Sequence, residues 1–275
     1  MTGPRPTIEC PCGGAHLVPS FRYDRPPAGE TAFDFGEPYY REYRRCGLCG
    51  HFFSCHEMDL SALYSSAYIE ATYGTQMRAA YDRIMSLPSE ASDNMGRMAR
   101  VLAFAERHPP VRGRQPRLLD IGSGLAVFPA RMREAGWDCT ALDPDPRAAE
   151  HAQSLGLATA TGDFLTMDLA ALDRFDFVTF NKVIEHVEAP VVMLHRTSGV
   201  LDPGGLVYVE VPDGDAASSQ GPGREEFFVE HHHVFSPASL ALTAKRAGLS
   251  TVIIERLREP SGKFTICAFL GSDQG

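Results

Sequence analysis

The second half of the chain alternates short runs of β-branched and other apolar residues with helical stretches. This alternation over residues 111–275 constrains the fold most, because strand, helix and strand at such spacing form a mostly parallel sheet covered on both faces. The short connection between the last two runs predicts a hairpin, so we expect the last strand to be antiparallel and the edge strand of the sheet to be antiparallel to its neighbour. The predicted strands are Arg117–Ile121, Cys139–Leu142, Phe177–Phe180, Leu206–Val211, Thr251–Glu255 and Phe264–Leu270.

The charge and hydropathy of the chain limit its partners. Its 275 residues include 26 Lys and Arg against 35 Asp and Glu, a net charge of −9. This balance argues against a general polyanion binder, so we expect no nucleic-acid partner. No apolar run is long enough to span a bilayer, and the N-terminus lacks the layout of a signal peptide. We therefore expect a cytoplasmic protein with no membrane partner, and its oligomeric state is not predicted.

Composition divides the chain into three segments. Residues 1–57 hold five of the seven cysteines and show little helical periodicity. Residues 58–110 have helical spacing, with a candidate cap at Asp59 and an end at Pro109, and we expect them to form a helical lid. Residues 111–275 form the α/β domain. The tyrosines of the helical segment either shape a ligand pocket or pack in the core, and they are Tyr64, Tyr68, Tyr73 and Tyr81.

The first segment has the cysteine spacing of a zinc site. Cys46 and Cys49 are separated by two residues, which is half of a zinc knuckle, and Cys10 and Cys12 resemble the other half with one residue fewer. Four thiolates would close a tetrahedral structural site, so we predict zinc on these four cysteines in a zinc-ribbon-like module. Reduced thiols without metal are the alternative. Substitute ligands, if one thiolate does not reach, are His16, His51, Cys55 and His56.

A glycine-rich turn follows the first predicted strand of the α/β domain. Asp120 precedes Gly122 and Gly124, and a helix begins shortly after them, so backbone N–H groups are offered to a ligand. A dinucleotide-binding turn needs a small residue where Val127 stands. Asp120 would also repel a pyrophosphate. The turn therefore favours a cationic ligand over a dinucleotide.

The sequence Asp-x-Gly-x-Gly-x-Ala resembles the first motif of class I S-adenosylmethionine-dependent methyltransferases. The resemblance implies a Rossmann-like sheet of seven strands. It also implies that Asp120 lies beside the methionine amino group of the cofactor and that Gly122 and Gly124 approach the cofactor closely.

Later positions agree with this resemblance in order and spacing. Asp143 ends the second predicted strand, where a carboxylate can accept hydrogen bonds from both ribose hydroxyls. The resemblance implies that Asp163 contacts the adenine amino group, that Phe164 packs on the adenine ring, and that Asn181 begins the loop facing the transferable methyl group.

Two stretches narrow the resemblance further. Asn181–Val187 and Glu230–Pro237 look like patterns of the ubiquinone-biosynthesis-like branch, which also includes sugar and natural-product methyltransferases. Some members of that branch bind a divalent metal through a Glu-x-x-Glu-His cluster. Lys182 stands at the first position of that cluster. The resemblance therefore does not carry this metal site onto the chain.

Histidines are the candidate general bases. An oxygen or carbon acceptor needs a base, whereas an amine need only arrive neutral, and histidine titrates in the right range. We predict His231 or His186 in this role, with His231 first because it matches the family position. Alternatively, His186 only starts a helix and the run His231–His233 lies partly on the surface. Adjacent histidines on an extended chain point to opposite sides, so we do not expect the run to share one metal ion.

Together these patterns predict a methyltransferase with S-adenosylmethionine as cofactor and structural zinc. The expected acceptor is a small molecule, a sugar nucleotide or a natural-product intermediate, with oxygen favoured as the accepting atom and carbon or nitrogen open. One alternative is an rRNA methyltransferase with a zinc module, which the charge opposes. The other is a non-catalytic regulatory protein that binds the cofactor, which the retention of Asp120, Asp143 and Asp163 opposes.

Overall fold

The structure is a computed structural model that describes residues 9–14, 16–30, 39–58, 76–109 and 113–272. Its strands, numbered along the chain, are β1 (Leu17–Tyr23), β2 (Arg41–Cys46), β3 (Phe52–His56), β4 (Arg117–Ile121), β5 (Asp138–Asp143), β6 (Ala158–Thr161), β7 (Phe175–Asn181), β8 (Leu201–Pro212), β9 (His233–Val234), β10 (Leu249–Arg258) and β11 (Phe264–Ser272). Its α-helices are α1 (Met77–Met85), α2 (Asp93–Arg107), α3 (Val127–Glu134), α4 (Pro146–Ser154), α5 (Pro190–Arg196), α6 (Gly214–Ser218) and α7 (Pro237–Arg246).

Seven strands form one twisted sheet in the order β10-β11-β8-β7-β4-β5-β6. The neighbours from β8 to β6 are all parallel. Successive side chains of a strand point to opposite faces. Accordingly, Leu119 and Ile121 of β4 pack in one apolar cluster and Leu118 packs in the other. The predicted Rossmann-like sheet of seven strands is confirmed.

The last strand is antiparallel, as predicted, but it lies inside the sheet. β11 pairs antiparallel with both β10 and β8, and β10 forms the edge. The edge strand is thus antiparallel to its neighbour, as predicted. The burial patterns agree with these positions, because six consecutive residues of β11 are buried whereas most of β10 is at least partly exposed. The seventh strand, β6, was not among the predicted runs, since it is a short edge strand of Ala and Thr.

The described part of the helical segment packs on the α/β domain. Ser92 caps α2 by accepting a hydrogen bond from the backbone N–H of Met95, and the helix ends before Pro109 as predicted. Tyr81 of α1 is buried and packs edge-on against His151. The predicted helix beginning at Asp59, with the other three tyrosines of the segment, lies outside the described residues.

A second, antiparallel sheet joins the N-terminal module to the α/β domain. Its order is β1-β2-β3-β9. The first three strands belong to the N-terminal module and β9 to the α/β domain, and β3 pairs with β9 through Phe52 with Val234 and Phe53 with His233. Tyr43, Phe52 and Val234 belong to one buried apolar cluster. The module and the loop before α7 are therefore parts of one sheet. Across the described ranges, no helix has the length and hydropathy needed to cross a membrane.

Candidate functional site

A cleft of about 1350 Å³ opens at the carboxyl ends of β4, β5 and β7. Open α/β sheets bind their ligands at this position. One part, the glycine half, is lined by Asp120, Gly122, Gly124, Asp143, Asp163, Phe164 and Asn181. The other part, the histidine half, is lined by Lys182, Glu185, His186, Glu188, Glu225, Glu226, Glu230, His231 and Lys263. The structure thus brings all nine predicted cofactor-binding and catalytic residues to one cleft.

The turn after β4 needs its glycines for two different reasons. Gly122 has φ +68°, and a Cβ there would lie 2.7 Å from Cγ2 of Val183, so no larger residue fits. Gly124 has φ +50°, but a Cβ there would meet nothing within 4 Å. The backbone at Gly124 is therefore open towards the cleft, where a ligand can approach it closely.

Asp120 is held rigidly at the end of β4. Its Oδ1 accepts hydrogen bonds from the hydroxyl of Thr179 and from the amide nitrogen of Asn181, both at 2.7 Å. Burial raises the pKa of this carboxyl group to about 6, although both hydrogen bonds oppose the shift. Oδ1 of Asn181 is buried and has no hydrogen-bond partner among the described residues. This corner of the cleft therefore presents a carboxylate and an amide oxygen to a hydrogen-bond donor.

The other predicted contacts of the glycine half differ in exposure. Asp143 is buried, and its two oxygens accept hydrogen bonds from the backbone N–H groups of Gly124 and Asp145, each at 2.9 Å. Asp163 is exposed and accepts the backbone N–H of Leu165 at 2.9 Å. Phe164 is 1% exposed and belongs to the core cluster below the cleft. Asp143 and Asp163 thus both organise the turns that carry them.

His186 and His231 face each other in the histidine half, with ring centroids 4.8 Å apart. Nδ1 of His186 lies 3.0 Å from the carbonyl oxygen of Glu230, and Nδ1 of His231 lies 2.9 Å from that of Glu226. Because a carbonyl can only accept, each Nδ1 carries the proton and each Nε2 carries the lone pair. Burial lowers the pKa of His186 to about 4 and that of His231 well below its usual range. Both rings are therefore neutral near pH 7.

Glu185 was not predicted as a site residue. Its side chain is fully buried, and neither carboxylate oxygen has a hydrogen-bond partner among the described residues. Burial raises its pKa to about 7, with Lys182 opposing. One ligand atom each of Glu185, His186 and His231 lie within 4.8 Å of one another, a donor set that a metal ion could use. His231 therefore lies beside Glu185 and His186. The sequence did not indicate this group of three residues, because Lys182 interrupts the family's metal-binding pattern.

The loop that carries His231 is held by the N-terminal module. The hydroxyl of Tyr43 lies 2.7 Å from the carbonyl oxygen of His231 and 3.0 Å from that of Phe228. The backbone N–H of Ser54 donates to the carbonyl oxygen of His232 at 3.0 Å. His233 points away from the cleft, where its Nδ1 lies 2.9 Å from Nε2 of His51. His231 and His232 both line the cleft and His233 does not, so the three histidines do not share one site, but this division is not the alternation expected of adjacent residues on an extended chain.

The four predicted zinc ligands lie together in the module. The sulfur atom of Cys10 lies 3.4 Å from that of Cys12 and 3.4 Å from that of Cys49. The sulfur atoms of Cys12 and Cys46 are 3.7 Å apart. Four thiolates around one zinc ion at about 2.3 Å would have sulfur atoms about 3.8 Å apart, which is close to these distances. The Cys-x-Cys half therefore reaches the site. The substitute His51 is engaged with Ser239 and His233.

A sequence model described as a methyltransferase domain matches residues 89–253, which is more than half of the chain. The chain belongs to this methyltransferase family. The matched residues include the glycine turn and the strands β4 to β9.

Curated relatives match about a third to two fifths of the methyltransferase chain. A ubiquinone biosynthesis O-methyltransferase of Cereibacter sphaeroides is 38% identical over 33% of this chain and 39% of its own length. An uncharacterized methyltransferase of Mycobacterium leprae is 34% identical over 43% of this chain and 44% of its own length. The chain thus spans less than half the length of these relatives.

Solved structures share the fold. One is the 1,6-didemethyltoxoflavin-N1-methyltransferase of Burkholderia thailandensis with S-adenosylhomocysteine bound, which has a TM-score of 0.54 and 21% identity over 81% of this chain and 95% of that chain. Another is the magnesium protoporphyrin IX methyltransferase of Synechocystis, with a TM-score of 0.54 and 12% identity over 77% of this chain and 96% of that chain. At these identities the likeness concerns the fold alone.

Proposed function

We propose that the protein transfers the methyl group of S-adenosylmethionine to a hydroxyl oxygen of a small-molecule acceptor. The observation that carries the proposal is the glycine half of the cleft. There an open backbone at Gly124 lies between the carboxylates of Asp120 and Asp143, at the ligand-binding end of a methyltransferase sheet.

The residues of the glycine half fit the cofactor. The buried Oδ1 of Asn181 has no partner among the described residues and would accept a hydrogen bond from the methionine ammonium group, beside the carboxylate of Asp120. Asp143 keeps further lone pairs for the ribose hydroxyls. Asp163 is exposed at the rim, where the adenine amino group would reach it, and Phe164 supports the adenine pocket from below.

The histidine half would position and deprotonate the acceptor. When bound, S-adenosylmethionine supplies a sulfonium methyl group that the acceptor attacks in line. His231 and His186 are neutral and keep a lone pair on Nε2, so either ring can accept the hydroxyl proton as the oxygen attacks, although burial lowers the pKa of both and makes them weaker bases than an exposed histidine. We propose His231 for this step and His186 as its partner in orienting the hydroxyl group. The net negative charge of this half favours a natural-product intermediate over a sugar nucleotide and argues against RNA as the acceptor.

Binding of S-adenosylmethionine to the purified protein, measured by calorimetry, tests the cofactor site. Asp120→Asn keeps the shape of the side chain but removes the charge beside the ligand ammonium. We expect it to weaken binding by about 10- to 100-fold, since a hydrogen bond to a charged group is worth about 1.5–3 kcal/mol. Asp173→Asn is the matched control, because Asp173 is 78% exposed and pairs with Arg117 at the surface. No binding by the unaltered protein would overturn the proposed function.

His231→Gln tests the proposed base. Turnover, measured as release of S-adenosylhomocysteine with a metabolite extract as acceptor source, should fall by about 100-fold, the usual contribution of a positioned base. Cofactor affinity should not change, since His231 lies outside the glycine half. An unchanged turnover would remove His231 from the mechanism. Binding of the cofactor by the unaltered protein, without turnover in any extract, would instead favour the regulatory alternative.

We also propose that Cys10, Cys12, Cys46 and Cys49 hold one structural zinc ion. The sulfur distances support the four-thiolate set, and the site is closed by protein on all four positions, which is typical of structural zinc. Metal analysis should find one zinc per chain. A second equivalent that disappears in His231→Gln would show that Glu185, His186 and His231 also bind a metal ion.

A further inference from the structure

We propose that the histidine half binds an acceptor that carries a protonated amine and no phosphate group, with the ammonium group against Glu185. The inference rests on the proposed methyltransferase function and names the class of its acceptor. The amine is a binding group, and the methylated hydroxyl lies next to it at the histidines.

The carboxylate of Glu185 is the first observation. It is fully buried at the wall of the cleft, and both oxygens are without a hydrogen-bond partner among the described residues. Lys182 is near enough to influence its charge, but Nζ of Lys182 donates to the hydroxyl of Thr265 at 2.6 Å. A buried carboxylate without donors is costly. A ligand that brings N–H donors to this wall would complete the site.

The cofactor does not supply these donors. Its sulfonium group carries positive charge but no N–H or O–H, so it cannot donate to Glu185. Its ammonium group belongs to the corner formed by Asp120 and Asn181 in the glycine half. Since neither the described residues nor the cofactor supplies donors to Glu185, we assign this role to the acceptor.

The charge around Glu185 disfavours a phosphate. Five carboxyl groups and two ammonium groups line the histidine half, and the guanidinium of Arg97, which lines the same cleft, is paired with Glu210 at 2.6 Å. Lys263 lies 3.4 Å from Glu225, and Glu226 is held by Arg224 at 2.6 Å, so these charges are partly balanced within the protein. The remaining excess is negative. A phosphate group would meet this excess without the arginine or lysine cluster that phosphate recognition requires.

Two segments outside the described residues do not change this balance. Residues 31–38 and 59–75 contain no Lys, Arg or His, while Asp34, Glu37, Asp59 and Glu70 add negative charge. Wherever they lie, these segments cannot bring a phosphate-binding cation to the cleft. The excess of negative charge at the cleft is therefore not offset by residues 31–38 or 59–75.

The test uses the full chain saturated with S-adenosylhomocysteine and three matched sugars: glucosamine as cation, glucose as neutral probe and glucose 6-phosphate as anion. Dissociation constants are measured by ligand-observed NMR titration at constant ionic strength. We expect glucosamine to bind about tenfold more tightly than glucose, as for one added charge-assisted hydrogen bond, and glucose 6-phosphate to bind more weakly than glucose. Equal binding of all three sugars, or preference for the phosphate, overturns the proposal.

Glu185→Gln locates the effect. It keeps the volume of the side chain and should bring glucosamine to the level of glucose, while the dissociation constant of S-adenosylhomocysteine stays the same. Glu255→Gln, on the exposed face of the edge strand β10, is the matched control and should keep the preference. A preference that survives Glu185→Gln contradicts the assignment. Failure of S-adenosylhomocysteine to bind the unaltered protein would instead refute the proposed function itself, so the two failures are distinguishable.

Discussion

The two halves of the cleft are built in different ways. The glycine half is formed by residues at the ends of neighbouring parallel strands, and its main contacts join residues of one sheet, such as Asp120 with Thr179 and Gly124 with Asp143. The histidine half is formed by loops, and its backbone is held by a second sheet that begins more than 180 residues earlier in the chain. The first half is thus a property of the fold, and the second depends on the N-terminal module.

This difference agrees with the roles proposed for the two halves. A cofactor shared by many enzymes can be bound by the sheet ends that these enzymes have in common. An acceptor peculiar to one enzyme is better recognised by loops, which vary while the sheet stays the same. Changes in the module should therefore affect the acceptor side and leave the cofactor side intact.

Loss of the proposed zinc site should give the largest difference between the effect on turnover and the effect on cofactor binding. Cys46→Ser removes one of four thiolates, and we expect it to lose the metal and about 4 kcal/mol or more of stability, because structural zinc is coupled to folding. For a domain of this size that corresponds to about 10 °C in melting temperature. Turnover should disappear while S-adenosylhomocysteine still binds below the melting transition. Zinc content, calorimetric binding and thermal unfolding measure the three effects.

Cys55→Ala is the matched control for this experiment. Cys55 is buried in the same apolar cluster, but the four-cysteine set does not include it. The variant should keep its zinc and its turnover. Less than about half a zinc per chain in the unaltered protein would contradict the structural site, and equal loss of cofactor binding and turnover in Cys46→Ser would contradict the independence of the two halves.

The residues of the glycine half could be predicted from the sequence because the motifs that mark them are local. Asp120, Gly122 and Gly124 lie within five residues, directly after an apolar run, and Asp143 ends the next strand. The histidine half depends on pairs that are distant in sequence. Nothing in the sequence around Tyr43 indicates that its hydroxyl reaches the carbonyl oxygen of His231, 188 residues later.

The same limit explains Glu185 and the position of β11. Glu185 lies within the family-like stretch Asn181–Val187, but its burial depends on loops that meet only in the folded chain. For β11, the run Phe264–Leu270 was correctly predicted as an antiparallel strand. Its position between β10 and β8 was not predicted, because the hairpin connection identifies β10 as one neighbour and leaves the other neighbour open.

Tyr43→Phe tests whether the module positions His231. The ring stays in the buried cluster, and only the hydroxyl that reaches the carbonyl oxygens of Phe228 and His231 is removed. Losing this hydrogen bond should cost about 1–2 kcal/mol of stability. A small displacement of the loop should lower kcat/KM for the acceptor about tenfold. The dissociation constant of S-adenosylhomocysteine should not change.

Tyr23→Phe is the control for Tyr43→Phe. Tyr23 belongs to the same buried cluster, and its hydroxyl donates to the carbonyl oxygen of Pro222 at 2.8 Å, outside the histidine loop. It should lose similar stability with no change in kcat/KM. If both variants lose turnover in proportion to stability, Tyr43 acts on the fold only and not through His231.

The smallest expected effect is a difference in pH dependence carried by His233, which joins the module to the histidine loop. Burial lowers the pKa of His233 to about 3, whereas an unfolded histidine titrates near pH 6.5. The unfolded chain therefore binds a proton as the pH falls below about 6.5 and the folded chain does not, so this residue removes stability between about pH 7 and pH 3. Glu185 and Glu230 act in the opposite direction, because burial raises the pKa of each to about 7, so their protonation stabilises the folded chain as the pH falls.

Because these contributions oppose each other, the total pH profile does not isolate His233, and a variant is needed. His233→Gln should be less stable than the unaltered protein at pH 7.5, since it loses the contact with His51. When the pH falls from 7.5 to 5.5, however, its free energy of unfolding should decrease by about 1 kcal/mol less than that of the unaltered protein. Urea unfolding at the two pH values measures this difference. His16→Gln, at an exposed position of the module, should leave the profile unchanged. A profile of His233→Gln parallel to that of the unaltered protein would mean that His233 is accessible to protons in the folded chain, and that the junction between the module and the histidine loop opens readily.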